Sequence, residues 1–187
     1  MPERHAPIEL HGISLDDLQA LLDSRQRPPV DRWNPPHCGH SGIRIARDGS
    51  WLHEGQQIRR PELVRLFSSI LRREADGSHM LVTPVEKLQI DVDWTAFRAI
   101  EMKTEGEGRS RRVAFMLDSG EAAILGPDHP LRVEDTPQGP SPRLAIRFGL
   151  EAELTRPVFY ELAELALAES SNGVWSEGLF FPLDGSA

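Results

Sequence analysis

The sequence holds one cysteine, Cys38, so no disulfide can form within the chain, and a reducing compartment is the expected setting. No apolar run approaches the roughly 20 residues that a membrane-spanning helix requires. The opening MPERHAPIELHG lacks the basic-then-apolar order of a secretory signal. A cytoplasmic location with no membrane partner is therefore expected. Positive charge is short: 21 Lys and Arg against 29 Asp and Glu leave a net charge of −8, which argues against a nucleic-acid partner. Catalytic signatures are missing too. There is no HExxH, no Ser-His-Asp order and no pair of catalytic carboxylates that spacing alone would support. Gly106 and Gly108 lie in EGEGRS, without the strand, glycine loop and helix of a phosphate site.

What is present is ordinary globular material, 39% hydrophobic and 27% charged, patterned around an apparent repeat. The stretch Trp51 to Pro84, WLHEGQQIRRPELVRLFSSILRREADGSHMLVTP, has a later counterpart ending in LTRPVFYELAELALAESSNGVWSEGLFFPL. Arg60-Pro61 returns as Arg156-Pro157 and Gly77 as Gly173, both 96 residues on, and Pro84 matches Pro182. Leu63, Leu66, Phe67, Ile70 and Leu71 form one amphipathic helical stripe, and Phe159, Leu162, Ala163, Ala166 and Leu167 occupy the offset positions. Pro61 and Pro157 suit a first helical turn, and Asp76-Gly77 and Asn172-Gly173 read as stops. The spacing predicts helix and then strand in each copy, with Leu63, Phe67, Ile70, Leu71, Phe159, Leu162 and Leu167 buried.

Charge divides the chain. From His40 to Arg73, seven arginines oppose three acids, a net of +4; from Glu151 to Ala187, seven acids oppose one arginine, a net of −6. At the 96-residue offset Arg65 becomes Glu161 and Arg73 becomes Glu169. Pairing of Arg65 with Glu161 and of Arg73 with Glu169 is one reading, and two solvated faces is the other.

Residues 1–12 read as loose. Ser14 is an N-cap for a helix whose stripe is Leu15, Leu18, Leu21 and Leu22. Prolines 28, 29, 35 and 36 impose an extended strap, with Trp33 as its anchor. Hairpins are expected at Asp48-Gly49, Glu54-Gly55 and Asp118-Ser119-Gly120. Leu88, Ile90 and Val92 alternate with Gln89, Asp91 and Asp93. The polar stretches KTEGEGRSRR and TPQGPSPR read as loops, and RLAIRFGLEAEL as the lead into the second helix. The fold class is α+β: two similar tandem units, each a curved, mainly antiparallel, roll-like sheet packed on one helix, plus an N-terminal helical arm. The boundaries are 1–32 for the arm and strap, 33–94 for the first unit and 95–187 for the second.

The candidate ligand-binding set is Trp33, His37, Cys38, His40, Trp51, Arg59 and Arg60. Cys and His ligate zinc, but His37-Cys38-Gly39-His40 has no second cysteine or spaced histidine pair to complete four ligands, so neither metal nor cofactor is expected. Cys38 as a nucleophile needs a base; His37 is too near along an extended chain, and His40 lies two residues away on the same face. Arg59 and Arg60, before a helix N-terminus, have the chemistry to grip an anion. Trp51 after the Asp48-Gly49 turn reads more cheaply as core.

The run WNPPxCG (Trp33 to Gly39), IxIARDGSW (Ile43 to Trp51), GxxIRRxxLVRLF (Gly55 to Phe67) and LVTPVEK (Leu81 to Lys87) resembles a family found mainly in proteobacteria. It is the domain-of-unknown-function family numbered twelve-eighty-five. The later GLEAELTRPVFYELAELA and GVWSEGLFF are similar to its second signature. In that pattern an acidic residue commonly follows Cys-Gly; His40 stands there in this chain. The resemblance implies an α+β protein of two similar parts, linked to signalling or regulation. It supplies no activity and no catalytic residues.

These observations lead to a non-catalytic cytoplasmic module that binds a small molecule or a protein. An enzyme using the His37-Cys38-His40 segment is the alternative, and a structural homo-oligomer is the third reading. A deep pocket lined by Trp33, Cys38 and Trp51 would favour ligand binding; a broad apolar patch would favour assembly.

Overall fold

Alternating apolar residues and frequent Xaa-Gly pairs make the chain a succession of strands and tight reversals. The computed structural model describes residues 8–186, so the expectation for residues 1–7 lies outside it. Ile8 and Leu10 are buried rather than loose. In chain order the elements are a 3-10 turn (Leu10–Gly12), α1 (Leu15–Ser24), β1 (Cys38–Ile45), β2 (Trp51–His53), β3 (Gln56–Gln57), α2 (Pro61–Ser69), β4 (Leu71–Arg73), β5 (His79–Val82), β6 (Lys87–Val92), β7 (Phe97–Glu105), a second 3-10 turn (Gly108–Ser110), β8 (Arg112–Leu117), β9 (Ala122–Ile124), β10 (Leu131–Thr136), β11 (Gly139–Arg147), β12 (Leu150–Leu154), α3 (Arg156–Ala168), β13 (Gly173–Ser176) and β14 (Leu179–Pro182).

The chain forms two units. One comprises Arg25–Ala96 with Arg147–Leu150; the other comprises residues 8–24, Phe97–Ile146 and residues 151–186. Two tandem six-stranded curled sheets, each with a helix, give the α+β class. The first sheet has the order β3-β2-β1-β6-β5-β4, and the second, read from its β9 edge, is β9-β8-β7-β12-β11-β10. Numbered within each sheet, both run third, second, first, sixth, fifth, fourth. In both, the first and sixth strands pair in parallel at the centre. Antiparallel pairs flank them: β1 with β2, β2 with β3, β4 with β5 and β5 with β6 in one sheet, and β7 with β8, β8 with β9 and β10 with β11 in the other.

This common order corrects the 96-residue repeat. The two units are similar through their sheets, not through equivalent helices. α2 follows the third strand of its sheet, whereas α3 follows the sixth strand of the other. Gly77 is not a helix stop: it sits at φ +89 in the β4–β5 turn, and its N–H donates to the Glu74 carbonyl at 3.0 Å. Gly173 opens β13, where a Cβ would lie 2.3 Å from the Phe181 carbonyl oxygen. The helices end earlier. α3 closes with Ser170 at φ +51 and the Ser171 N–H on the Ala166 carbonyl at 3.0 Å, a left-handed cap that uses serine where glycine is usual. A proline in the first turn suits any helix, and an apolar stripe is common to surface helices. Their recurrence therefore does not report which strand the helix follows.

The offset also put the α3 stripe out of phase. Its buried side chains are Val158, Leu162 and Ala166; Phe159 is half-buried and Leu167 is 72% exposed. In the first unit Leu71 is buried, but Leu63, Phe67 and Ile70 are only partly covered. RLAIRFGLEAEL is two strands, β11 and β12, around Phe148-Gly149, both at positive φ. The TPQGPSPR loop is shorter than read, since Pro140 and Pro142 lie in β11 opposite β10. The turns at Asp48-Gly49, Glu54-Gly55 and Asp118-Gly120 are present, and the Leu88 to Asp93 alternation holds.

Within the second unit, Ser14 caps α1: its hydroxyl accepts the Asp17 N–H at 3.1 Å. Leu15 and Leu18 pack with Ala114, Met116, Ala122 and Ile124 of β8 and β9. Both faces of β8 are consequently covered, which explains why RVAFML runs apolar without alternation. Lys103 donates to the Ile13 carbonyl, and Glu105 accepts the Leu15 N–H at 3.1 Å, so β7 holds the start of the helix.

Leu162 is fully buried and Leu167 is not. Leu162→Ala is expected to cost about 2–5 kcal/mol, the range for a deleted core leucine. Leu167→Ala should stay within about 0.5 kcal/mol. Chemical-denaturation midpoints of the two variants check this; similar shifts would contradict the stripe assignment.

Candidate functional site

The proline-rich strap meets the first sheet through one guanidinium. Arg72 on β4 donates from Nη1 to the Val30 carbonyl at 2.5 Å and to the Trp33 carbonyl at 2.9 Å. Its Nε and Nη2 hold Glu74 at 3.1 and 2.6 Å. Lys87 Nζ reaches the same carboxylate at 3.4 Å. The Arg72 hydrogen bond, despite partial desolvation, keeps the Glu74 carboxyl below its ordinary value, and Lys87 adds to the effect. Val30 and Pro35 are the buried anchors of the strap, whereas Trp33 is only partly covered. Proline leaves carbonyls along the strap without local N–H partners, and the planar fork of an arginine meets two of them at once.

The candidate segment His37 to His40 enters β1. The His37 carbonyl accepts the Lys87 N–H at 2.9 Å, and Cys38 starts the strand as an exposed free thiol. Beyond His40 the register against β6 slips: His40 lies opposite Gln89, but Arg44 lies opposite Asp91. The extra residues are held locally. Ser41 Oγ donates to the Gln89 carbonyl and accepts the Ile43 N–H, each at 3.1 Å. Gly42 sits at φ +72, where a Cβ would fall 2.0 Å from Glu54 Oε1. Its N–H donates to His40 Nδ1 at 3.0 Å, which puts the ring proton on Nε2, 3.4 Å from Asp91 Oδ1. Both ring nitrogens are thus occupied. A general base needs a nitrogen lone pair free to take a proton, and a zinc ligand needs one free for the metal. Here the Nδ1 lone pair already serves the bulge.

The remaining candidates lie apart. Trp51 is opposite Ile45, at the other end of β1 from Cys38, on the order of 20 Å along the strand. It is 5% exposed and stacks on Phe67 with ring centroids 6.2 Å apart, so it is a core residue. Arg59 and Arg60 are exposed before α2, and Arg60 occupies the N-cap without a side-chain capping bond. Trp33 is held from β4, three strands from β1 in the sheet order. Among the described residues no group of three or more His, Cys, Asp or Glu side chains could hold a metal. Nor is any helix there long and apolar enough to cross a membrane. The expected charge pairs are replaced by nearer partners: Arg65 meets Glu62 at 3.7 Å, and Glu169 meets the buried Arg111 at 2.6 Å.

Two features went unseen in the sequence. The first is the Arg72–Glu74–Lys87 network, which depends on the pairing of β4, β5 and β6. The second is α2 itself. Leu63, Val64, Phe67 and Ile70 are partly exposed, Leu66 is 41% exposed, and none of the five is fully buried. Their signal was available, because Val64 widens the apolar arc beyond the stripe of Leu63, Leu66, Phe67 and Ile70.

The fold defines a class: a tandem α+β protein built on a duplicated six-stranded sheet with a parallel central pair. Residues 28–95 match the family described as Domain of unknown function (DUF1285), N-terminal domain, and residues 96–183 match Protein of unknown function (DUF1285), C-terminal domain. The chain belongs to the DUF1285 family. It is similar to the crystal structure of a DUF1285 family protein from Silicibacter pomeroyi, with 42% identity and a TM-score of 0.78, over 89% of this chain and 93% of that one. It shares its fold with a DUF1285 family protein from Shewanella baltica, at 22% identity and a TM-score of 0.52, over 67% of this chain and 92% of that one. No curated protein matches the chain.

Glu74 gives a pH test. Because its folded value is depressed, its contribution is full above the unfolded carboxylate value and is lost as pH falls through the folded one. Glu74→Gln should cost about 1.5–3 kcal/mol at neutral pH, the range for a charged hydrogen bond. The gap from wild type should narrow as pH falls below the ordinary glutamate value and close only below the depressed folded one. Denaturation of both proteins from neutral to acid pH checks this; a gap that does not change with pH would exclude the ion pair as its source.

Proposed function

We propose that the chain is a non-catalytic protein-binding module, and that α2 presents the binding face. The carrying observation is the α2 arc of Leu63, Val64, Leu66, Phe67 and Ile70, none of them fully buried. A nine-residue helix normally hides its large apolar residues; this one leaves Leu66 41% exposed and Leu63, Val64 and Phe67 only partly covered, with Ile70 alike at its C-cap, and so marks a contact surface. Phe67 is backed by Trp51, which gives the face a firm base. Arg59 and Arg60 stand exposed at its N-terminal end, so the fitting partner is an amphipathic segment of acidic character. An open helical face suits a protein better than a small molecule, which takes a concave site. The occupied nitrogens of His40 support binding over catalysis. The proposal includes a cytoplasmic setting, supported by the exposed free thiol of Cys38, and a regulatory or signalling role exercised by recruitment.

A photoreactive benzophenone side chain tests the face in the native cell. Placed at position 66, it should yield a discrete protein adduct that position 128, exposed in another loop, does not. Arg59→Glu with Arg60→Glu should weaken the adduct. Equal adducts from both positions, or none from position 66, would refute the proposal.

A further inference from the structure

α3 carries a second apolar line that its sheet does not use. At 100° per residue, the buried Val158, Leu162 and Ala166 define the inner face, and Tyr160 and Leu167 fall within about 20° of each other on the outer side. Tyr160 is 58% exposed and Leu167 is 72% exposed, with the partly covered Ala163 between them and Glu164 beside them. Seven residues separate Tyr160 from Leu167, and seven separate Leu63 from Ile70 on α2, so the two lines have equal length, about 10.5 Å.

We infer that the segment seated on the α2 face is the outer face of α3 from a second copy of the chain. This rests on the reading of α2 given above. Charge selects the pairing. Around α2, Arg59, Arg60 and Arg65 stand against Glu62 alone, whereas α3 carries Glu161 and Glu164 exposed along its length. Two α3 faces brought together would set Glu161 and Glu164 against their own copies. Two α2 faces would bring together surfaces on which Arg59, Arg60 and Arg65 outnumber the one acid, Glu62. Only the mixed contact places acids against arginines. Antiparallel packing also sets Arg59 and Arg60 beside the C-terminal end of α3, the favourable arrangement for both helix dipoles. Because the two faces differ, each copy offers one of each, and the contact is head-to-tail.

Sedimentation of the full chain tests the inference, with Leu66→Glu on one face and Leu167→Glu on the other. Both sites are exposed, and thermal melts confirm that each variant is folded. Wild type should self-associate, more weakly at about 500 mM than at about 50 mM salt. Each variant alone should associate at least about tenfold more weakly. An equimolar mixture of the two should recover a two-chain species, because each brings one intact face. The inference is overturned by a monomeric wild type, by association that survives Leu167→Glu, or by a mixture that stays monomeric. A monomeric wild type whose position 66 still gives a specific adduct in the cell assigns the α2 face to a different protein. The second-copy contact would then fall while the binding face stands.

Discussion

The parallel contact between the first and last strands of each sheet is the constraint on which the fold rests. β1 and β6 meet through pairs such as Cys38 with Lys87 and Ile45 with Val92, and β7 and β12 through Phe97 with Ala152. Every other strand is added outward from that seam by local reversals. Two three-stranded arms, each cheap to form, become one sheet only when residues about 50 positions apart come together. The excursion between the arms is unconstrained, so a helix fits there in one sheet and a short loop in the other. The parallel seam thus accounts for both the likeness of the units and the displacement of their helices.

The same seam carries the irregularities that shape the surface. The slip between His40 and Arg44 is possible because Gly42 takes a left-handed conformation under Glu54, and His40 and Ser41 satisfy the groups it frees. At the sheet edge Arg72 performs a similar service for the strap. In both places a polar side chain serves the backbone. Within the His-Cys-Gly-His motif it is His40 that does so, while Cys38 stands as an exposed free thiol.

What was legible in the sequence follows from range. The Ser14 cap, the Asp48-Gly49 turn and the alternation of Leu88, Ile90 and Val92 are written within a few residues and are found as read. The partners of His40 and Arg72 were not legible, since Asp91 and Val30 lie 51 and 42 positions away. Phe148 hid a turn because an aromatic residue at positive φ gives no local sign. The α3 stripe was misplaced because the match at Arg-Pro fixed its phase by analogy with α2. Val158, which the offset ignored, is the residue the sheet covers.

The place of α1 has a consequence for synthesis. Residues 8–24 belong with a unit whose other parts begin at Phe97. The ribosome therefore releases Leu15 and Leu18 long before Ala114, Met116, Ala122 and Ile124 exist to cover them. At roughly 5–20 residues per second, that apolar stripe waits on the order of 5–20 s without its sheet. All of β1 to β6 emerges in that interval, so the first sheet can close while the helix is still unplaced. α1 thus docks only after all of β1 to β6 has been made, and the newborn chain carries an uncovered leucine stripe of the kind that chaperones hold.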